Sequence, residues 1–187
     1  MKISIIIPCY NEENTIEKIV NKILDLNNLD LEIILVDDNS TDGSKNIIET
    51  KIKNRVNKVI FNDRNYGKGY SIRKGIEVAT GDITIIQDAD LEYDPKDYEK
   101  ILEPFKIGVA DVVYGSRFIG SDKKRVLYFW HTVGNKFLTL FSNIFTDLNL
   151  SDMEVGYKAF RTDVLKNINL KENRFGFEPE ITAKISK

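Results

Sequence analysis

One cysteine, Cys9, stands in 187 residues, so no intrachain disulfide can form and a reducing compartment is expected. There is no uncharged apolar run of about 18 residues, which excludes a transmembrane helix of ordinary length. The apolar run that precedes Pro8 is too short for the core of a signal peptide. An excess of either charge is missing as well. With 27 basic and 29 acidic side chains the net charge is −2, and bulk electrostatics makes no case for nucleic acid as a partner. Internal repeats and low-complexity segments are absent. What remains is 42% hydrophobic and 30% charged, the composition of a soluble globular domain with enough chain for a real core.

The stretch that organises the chain is 83–95, Ile-Thr-Ile-Ile-Gln-Asp-Ala-Asp-Leu-Glu-Tyr-Asp-Pro. Residues 83–86 read as a buried strand. Asp88, Asp90, Glu92 and Asp94 follow at every second position. In an extended segment alternate side chains point the same way, so Asp88, Asp90 and Glu92 are expected to share a face. Pro95 suits the first turn of a helix and Asp94 its N-cap. Carboxylates gathered at a strand end repel one another unless a cation sits between them. Mg²⁺ or Mn²⁺ is the natural occupant, bound by few carboxylates and open to substrate phosphates. An acidic, solvated turn is the alternative.

Further buried-type strands are predicted over 3–7, 31–36, 58–61 and 111–114. Helices are predicted over 12–26, 44–53, 68–79 and 95–105. Strands that alternate with helices, each an unbroken apolar run, indicate an α/β fold with a mainly parallel sheet covered on both faces. Ligands in such sheets bind beyond the carboxyl ends of the strands. The polar clusters fall there: Tyr10 to Glu12, Asp37-Asp38, Asn65 to Lys68, Asp88 to Glu92 and Gly115 to Arg117. Asp37-Asp38 also reads as an acidic pair at a helix N-terminus. A phospho-receiver domain ends a strand in paired aspartates too, but there the pair follows the first strand and here it follows the second. Over 125–150 apolar and aromatic residues recur at helical steps. That pattern fits a core helix or helix pair, or an interfacial element with Lys123, Lys124 and Arg125 beside lipid headgroups. A loop and strand are expected over 151–161. A last helix is expected over 175–187, begun near Pro179. The chain ends inside that pattern without a cap, which points to C-terminal truncation.

Four segments carry a resemblance: Ile-Ile-Ile-Pro-Cys-Tyr-Asn-Glu-Glu at 5–13, Val-Asp-Asp-Asn-Ser-Thr-Asp-Gly at 36–43, Asn-Tyr-Gly-Lys-Gly at 65–69 and Asp-Ala-Asp at 88–90. Together they resemble the family 2 glycosyltransferases of the GT-A fold. Gly115-Ser116-Arg117-Phe118, the run from Asp152 to Lys158, and Phe175-Gly176-Phe177-Glu178 look most like the polyprenyl- or dolichol-phosphate mannose or glucose synthases. The resemblance implies one catalytic domain over 1–187, with 1–118 as the nucleotide-sugar-binding half and 119–187 as the acceptor-side half. It implies a metal-dependent, inverting transfer of a hexose from UDP- or GDP-hexose to polyprenyl phosphate at the cytoplasmic membrane face. A glycan or small-molecule hydroxyl acceptor is one alternative, and a non-catalytic nucleotide-sugar-binding module is another.

By the same resemblance Pro8, Tyr10, Glu12, Asp38, Lys68, Asp88, Ala89 and Asp90 hold the nucleotide sugar. Asp90 is implied as the direct metal ligand, Glu92 as a second where the family often has Gln, and Asp88 as a sugar or water-mediated metal contact. Arg117 is implied near the acceptor or leaving phosphate, and His131, the only histidine, on the acceptor side. Asp152 is preferred over Glu154 as general base or acceptor positioner, with Glu178 supporting that wall. An acceptor phosphate, already ionised, needs little base catalysis, whereas a hydroxyl needs a carboxylate.

Overall fold

β-branched runs make the strands, and their alternation sorts side chains to two faces of one sheet. The structure is a computed structural model that describes residues 1–116 and 129–187. Arg117 and the basic run 123–125 lie outside the described residues. Among those described, six strands form a single sheet in the order β3-β2-β1-β4-β6-β5. They are β1 (Lys2–Cys9), β2 (Asp30–Asp37), β3 (Lys58–Phe61), β4 (Ile83–Ile86), β5 (Val112–Tyr114) and β6 (Lys158–Arg161). The first four pair in parallel. Ile3, Ile5, Ile7, Ile33, Leu35, Ile83 and Ile85 enter one core with α1 (Ile16–Leu24) and α4 (Tyr98–Lys106). Ile6 and Ile86 face the other way, onto α3 (Lys68–Val78), α6 (Thr162–Asn167) and α7 (Phe177–Ile185). Both faces are therefore covered, as the unbroken runs predict.

Helix α1 buries Ile16, Ile19, Val20 and Ile23, at i, i+3, i+4 and i+7 along one face. Each buried side chain is worth about 1.5–3 kcal/mol relative to exposure. The 44–53 segment is not a uniform helix: α2 (Ser44–Ile47) runs into a π-turn at Ile48–Ile52, which turns both Ile48 and Ile52 inward. Strand β1 passes through Pro8 rather than stopping at it. Pro8 lies beyond Ile6, the last residue paired with β4, so its missing N–H breaks no bond of that ladder. Asp94 caps as expected, its carboxylate accepting from Lys96 N, with Pro95 in the first position of a 3₁₀ turn that leads into α4.

The sheet is mainly, not wholly, parallel. Strand β6 runs antiparallel to both β4 and β5 and lies between them. The chain leaves β5 at the carboxyl rim and re-enters there, with Lys158 paired to both Tyr114 and Ile86, so the next strand can only run downward. The short helix α6 is absent from the sequence reading. The long helix α5 (Phe129–Thr146) is not a core helix: of its residues only Thr139 is buried. No described helix is long and apolar enough to cross a membrane.

At the end of the sheet away from the rim, Glu32 joins three segments. It accepts from Ser4 Oγ on β1, from Thr80 N at 2.7 Å and Thr80 Oγ1 at 2.6 Å, and from Lys2 Nζ at 3.2 Å. Burial alone would raise its pKa, but these donors outweigh burial and hold it at about 2. Replacement by Gln is expected to cost about 1–3 kcal/mol at neutral pH in urea melts. A depressed carboxylate stabilises fully above its unfolded pKa of 4.5 and loses that contribution as pH falls through about 2. The gap between wild type and Glu32→Gln should therefore close over that window. A gap that does not depend on pH would show that the charge of Glu32 does not matter.

Candidate active site

The carboxyl ends of β1, β2 and β4 open into a cleft of about 450 Å³. Pro8, Tyr10, Glu12, Asp38, Lys68, Asp88, Ala89 and Asp90 all line it, so the side chains expected at the nucleotide sugar are brought together. The turns that follow these strands include residues in left-handed backbone: Asn11 at φ 57°, Asn39 at φ 59° and Leu91 at φ 65°. Asparagine tolerates that region, whereas leucine is strained there.

Asp37 and Asp38 do different work. Asp37 is fully buried and accepts from Ser40 Oγ at 2.6 Å and Ser40 N at 3.2 Å, which shapes the turn after β2. Asp38 does not cap the helix that follows it in sequence. Its Oδ1 accepts from Asn62 Nδ2 at 2.7 Å and Tyr66 N at 3.0 Å, and its Oδ2 from Gly67 N at 2.6 Å. The anion at the start of α3 is therefore Asp38 itself. Tyr70 N is also used, donating to Asn173 O at 3.0 Å. Gly67 and Gly69 leave room for the chain at 172–174. A Cβ on Gly67 would stand 2.5 Å from Asn173 O, and one on Gly69 2.5 Å from Glu172 O.

Lys68 is not a solvent-facing lysine. Its ammonium lies 2.8 Å from Asp88 Oδ1 and 3.0 Å from Glu178 Oε1. Burial would lower its pKa, but Asp88 and then Glu178 raise it, so it stays charged across the working range. Beneath this pair Lys158 is buried on β6, its Nζ donating to Val155 O and lying 4.8 Å from the Tyr114 ring centroid. Burial pulls Lys158 down to about 8, with Glu178 opposing and Lys68 adding to the fall. Glu178 Oε2 is buried and, among the described residues, has no hydrogen-bond partner. The cleft's only cysteine is inert at neutral pH, because burial, then Asp37 and Glu12, push the Cys9 thiol up to about 12.

Asp88, Asp90 and Glu92 do not share one face. Leu91 turns the chain, Asp88 points inward to Lys68, and Asp90 and Glu92 are exposed. Among the described residues no three His, Cys, Asp or Glu side chains converge on one point. Asp90 remains in the cleft wall, its Oδ1 accepting from Glu92 N at 3.0 Å. One carboxylate fits a Mg²⁺ or Mn²⁺ ion whose other ligands are waters and diphosphate oxygens. Asp152 is buried and does not line this cleft, and the next residue's N–H is held by Thr139 Oγ1 on α5. His131 is exposed on α5. Arg174 and Phe175 line the cleft and were not picked out as ligands from the sequence. Their only sequence signal is the motif that begins at Phe175, more than 80 residues after Asp90.

Comparison with known proteins fits this geometry. The sequence profile described as glycosyl transferase family 2 matches residues 4–168. A dolichol-phosphate mannosyltransferase of Pyrococcus furiosus is 29% identical over 187 residues, which is 98% of this chain and 53% of that protein. An undecaprenyl-phosphate 4-deoxy-4-formamido-L-arabinose transferase of Aeromonas hydrophila is 28% identical over 182 residues, covering 95% and 54%. The chain thus spans about half the length of these relatives. Among solved structures, a glucosyl-3-phosphoglycerate synthase of Mycobacterium tuberculosis, crystallised with Mn²⁺ and UDP, superposes with a TM-score of 0.73 at 21% identity. It covers 95% of this chain and 62% of that one, and the shared fold is GT-A.

Gly156 abuts the ion pair. A Cβ there would stand 2.0 Å from Asp88 Oδ2 and 3.2 Å from the Tyr93 ring. Gly156→Ala is therefore expected to displace Asp88 and to lower stability by about 1–3 kcal/mol in denaturant melts. An unchanged midpoint would mean that Asp88 is not held where the structure has it.

Proposed function

The chain belongs to glycosyl transferase family 2, and from that premise we propose that it moves a hexose from a nucleoside-diphosphate sugar to a polyprenyl phosphate, with inversion at the anomeric carbon. The observation that carries the reading is the single cleft lined by Asp38, Lys68, Asp88 and Asp90 beyond the parallel strand ends. The polyprenyl-phosphate names of the relatives favour that acceptor class. In this reading residues 1–187 act as one catalytic domain, with most donor contacts in 1–118, joined by Arg174 and Phe175, and acceptor contacts at Arg117 and in 119–187.

Tyr10 and Glu12 flank the base and ribose at the end of β1. Asp38 presents a fixed carboxylate edge to the base while it holds the 62–67 loop. Lys68, charged and clamped, faces the diphosphate, and Asp88 orients the sugar. Asp90 holds Mg²⁺ or Mn²⁺, which when bound neutralises charge on the nucleoside diphosphate leaving group. Arg117 and His131 are assigned to the acceptor side, and Asp152 to positioning the acceptor. An ionised phosphate acceptor attacks without a general base, so the burial of Asp152 is no obstacle.

Titrating UDP and GDP into the protein by calorimetry, with and without Mn²⁺, tests the reading. One nucleotide should bind in a metal-dependent way, and Asp90→Ala should abolish that dependence. With short polyprenyl phosphates and that nucleotide's sugars, Asp90→Ala should slow transfer by about a thousandfold, several kcal/mol of barrier. Binding that Mn²⁺ and Asp90→Ala both leave unchanged would sink the proposal.

Peripheral membrane contact is part of the same reading. Helix α5 exposes Phe129, Trp130, Phe137, Leu140, Ile144 and Phe145, and Trp130 is 77% exposed. Such a face suits the headgroup–acyl boundary of a cytoplasmic leaflet. Trp130 is the only tryptophan, so its emission reports on this helix alone. Phosphatidylglycerol-containing vesicles should shift that emission to the blue, and Ile144→Asp with Phe145→Asp should remove the shift. An unshifted wild-type spectrum would argue against lipid contact at α5.

A further inference from the structure

The acidic loop after β4 crowds Asp88, Asp90, Glu92 and Asp94 into seven residues and bends through Leu91 at φ 65°. Like charges and left-handed leucine both push it open. Its outer side is tied to the chain before β6: Gly156 N donates to Tyr93 Oη at 3.1 Å, Tyr157 Oη to Asp94 O at 3.3 Å, and the two rings stack with centroids 5.1 Å apart. Inside the loop one side chain reaches both ends. Gln87, fully buried, donates from Nε2 to Asp88 O at 3.0 Å and to Tyr93 O at 3.3 Å. Its Oε1 accepts from Tyr98 Oη at 3.0 Å. The orientation of the amide is forced, because the reverse would set its oxygen against two carbonyl oxygens. Tyr98 is fully buried at the start of α4, and burial, then Asp94, keep its phenol protonated as a donor. A hydroxyl anchored in the core thus fixes an amide, and the amide fixes the loop.

We infer that Gln87 is a positioning residue, whose carboxamide closes the loop that carries Asp88 and Asp90 and so sets how tightly Asp90 takes its cation. The cation comes from the transferase reading, but the loop closure does not depend on it. Gln87 touches neither the cleft nor the substrate, and acts through the two backbone carbonyls. Nothing in the strand-end pattern marks it, because a glutamine after an apolar run reads as an ordinary polar boundary.

Gln87→Met keeps the volume and removes both donors and the acceptor. Mn²⁺-dependent binding of the nucleoside diphosphate should weaken by about tenfold, as when a supporting hydrogen bond to a metal site is lost. Metal-free nucleotide binding should not change. Amide hydrogen exchange should rise at 89–92 and stay as in wild type along β4. Tyr98→Phe, which removes only the anchor, should give a smaller change of the same kind, and it carries the test if Gln87→Met does not fold. An unaltered Mn²⁺ dependence, an equal loss with and without metal, or unaltered exchange at 89–92 would each overturn the inference. If the wild type itself shows no metal-dependent binding, the transferase reading falls, and the exchange comparison still decides whether Gln87 closes the loop.

Discussion

One ammonium group held by two carboxylates organises the rim. Lys68 starts α3, Asp88 follows β4 and Glu178 belongs to α7, so three elements from distant parts of the chain meet at a single charge. Without that cation Asp88 and Glu178 would be like charges in a partly dry wall, each costly to keep ionised. With it, the acidic loop, the Gly-flanked entry to α3 and the 172–178 segment become one surface. The room left by Gly67, Gly69 and Gly156 serves the same end, since each admits backbone or a carboxylate where a Cβ would collide.

Buried charge on this scale divides the acids of the cleft into two kinds. Glu12, Asp38 and Asp88 are tied to donors of the protein, and Asp90 is the cleft acid that is exposed. The fold makes the first kind rigid, and that rigidity leaves Asp90 in a defined place for a mobile ligand. A uniformly solvated acidic rim would bind cations loosely and in many arrangements. Here the number of carboxylates open to a cation is kept small, which suits an ion that also takes phosphate oxygens as ligands.

Much of this was legible in the residues. Unbroken runs of isoleucine and valine mark β1, β2 and β4 as buried strands, and the polar clusters after them mark the rim. All eight side chains expected at the nucleotide sugar line one cleft because strand ends converge by topology, whatever the loops do. The misreadings have physical causes. The direction of β6 depends on where the chain between β5 and β6 travels, which no local pattern encodes. The face shared by Asp88, Asp90 and Glu92 assumes an extended backbone, and Leu91 breaks it against its own preference. Arg174 and Phe175 reach the cleft through packing on α3 across a hundred residues, a distance at which sequence spacing says nothing. Asp38 looks like a cap for the next helix in sequence and instead holds Tyr66 N and Gly67 N at the entry to α3.

The 172–178 segment also bears on how the protein is made. Translation delivers β1 to β4 early, and these can pair as the chain emerges. Until residue 158 follows, β4 is an open edge, a template for pairing with other nascent chains. Until residue 178 follows, Lys68 has one partner and the cleft lacks a wall. These wall contacts join α3 to residues about a hundred positions further along the chain, and contacts of that separation cost the most loop-closure entropy to form.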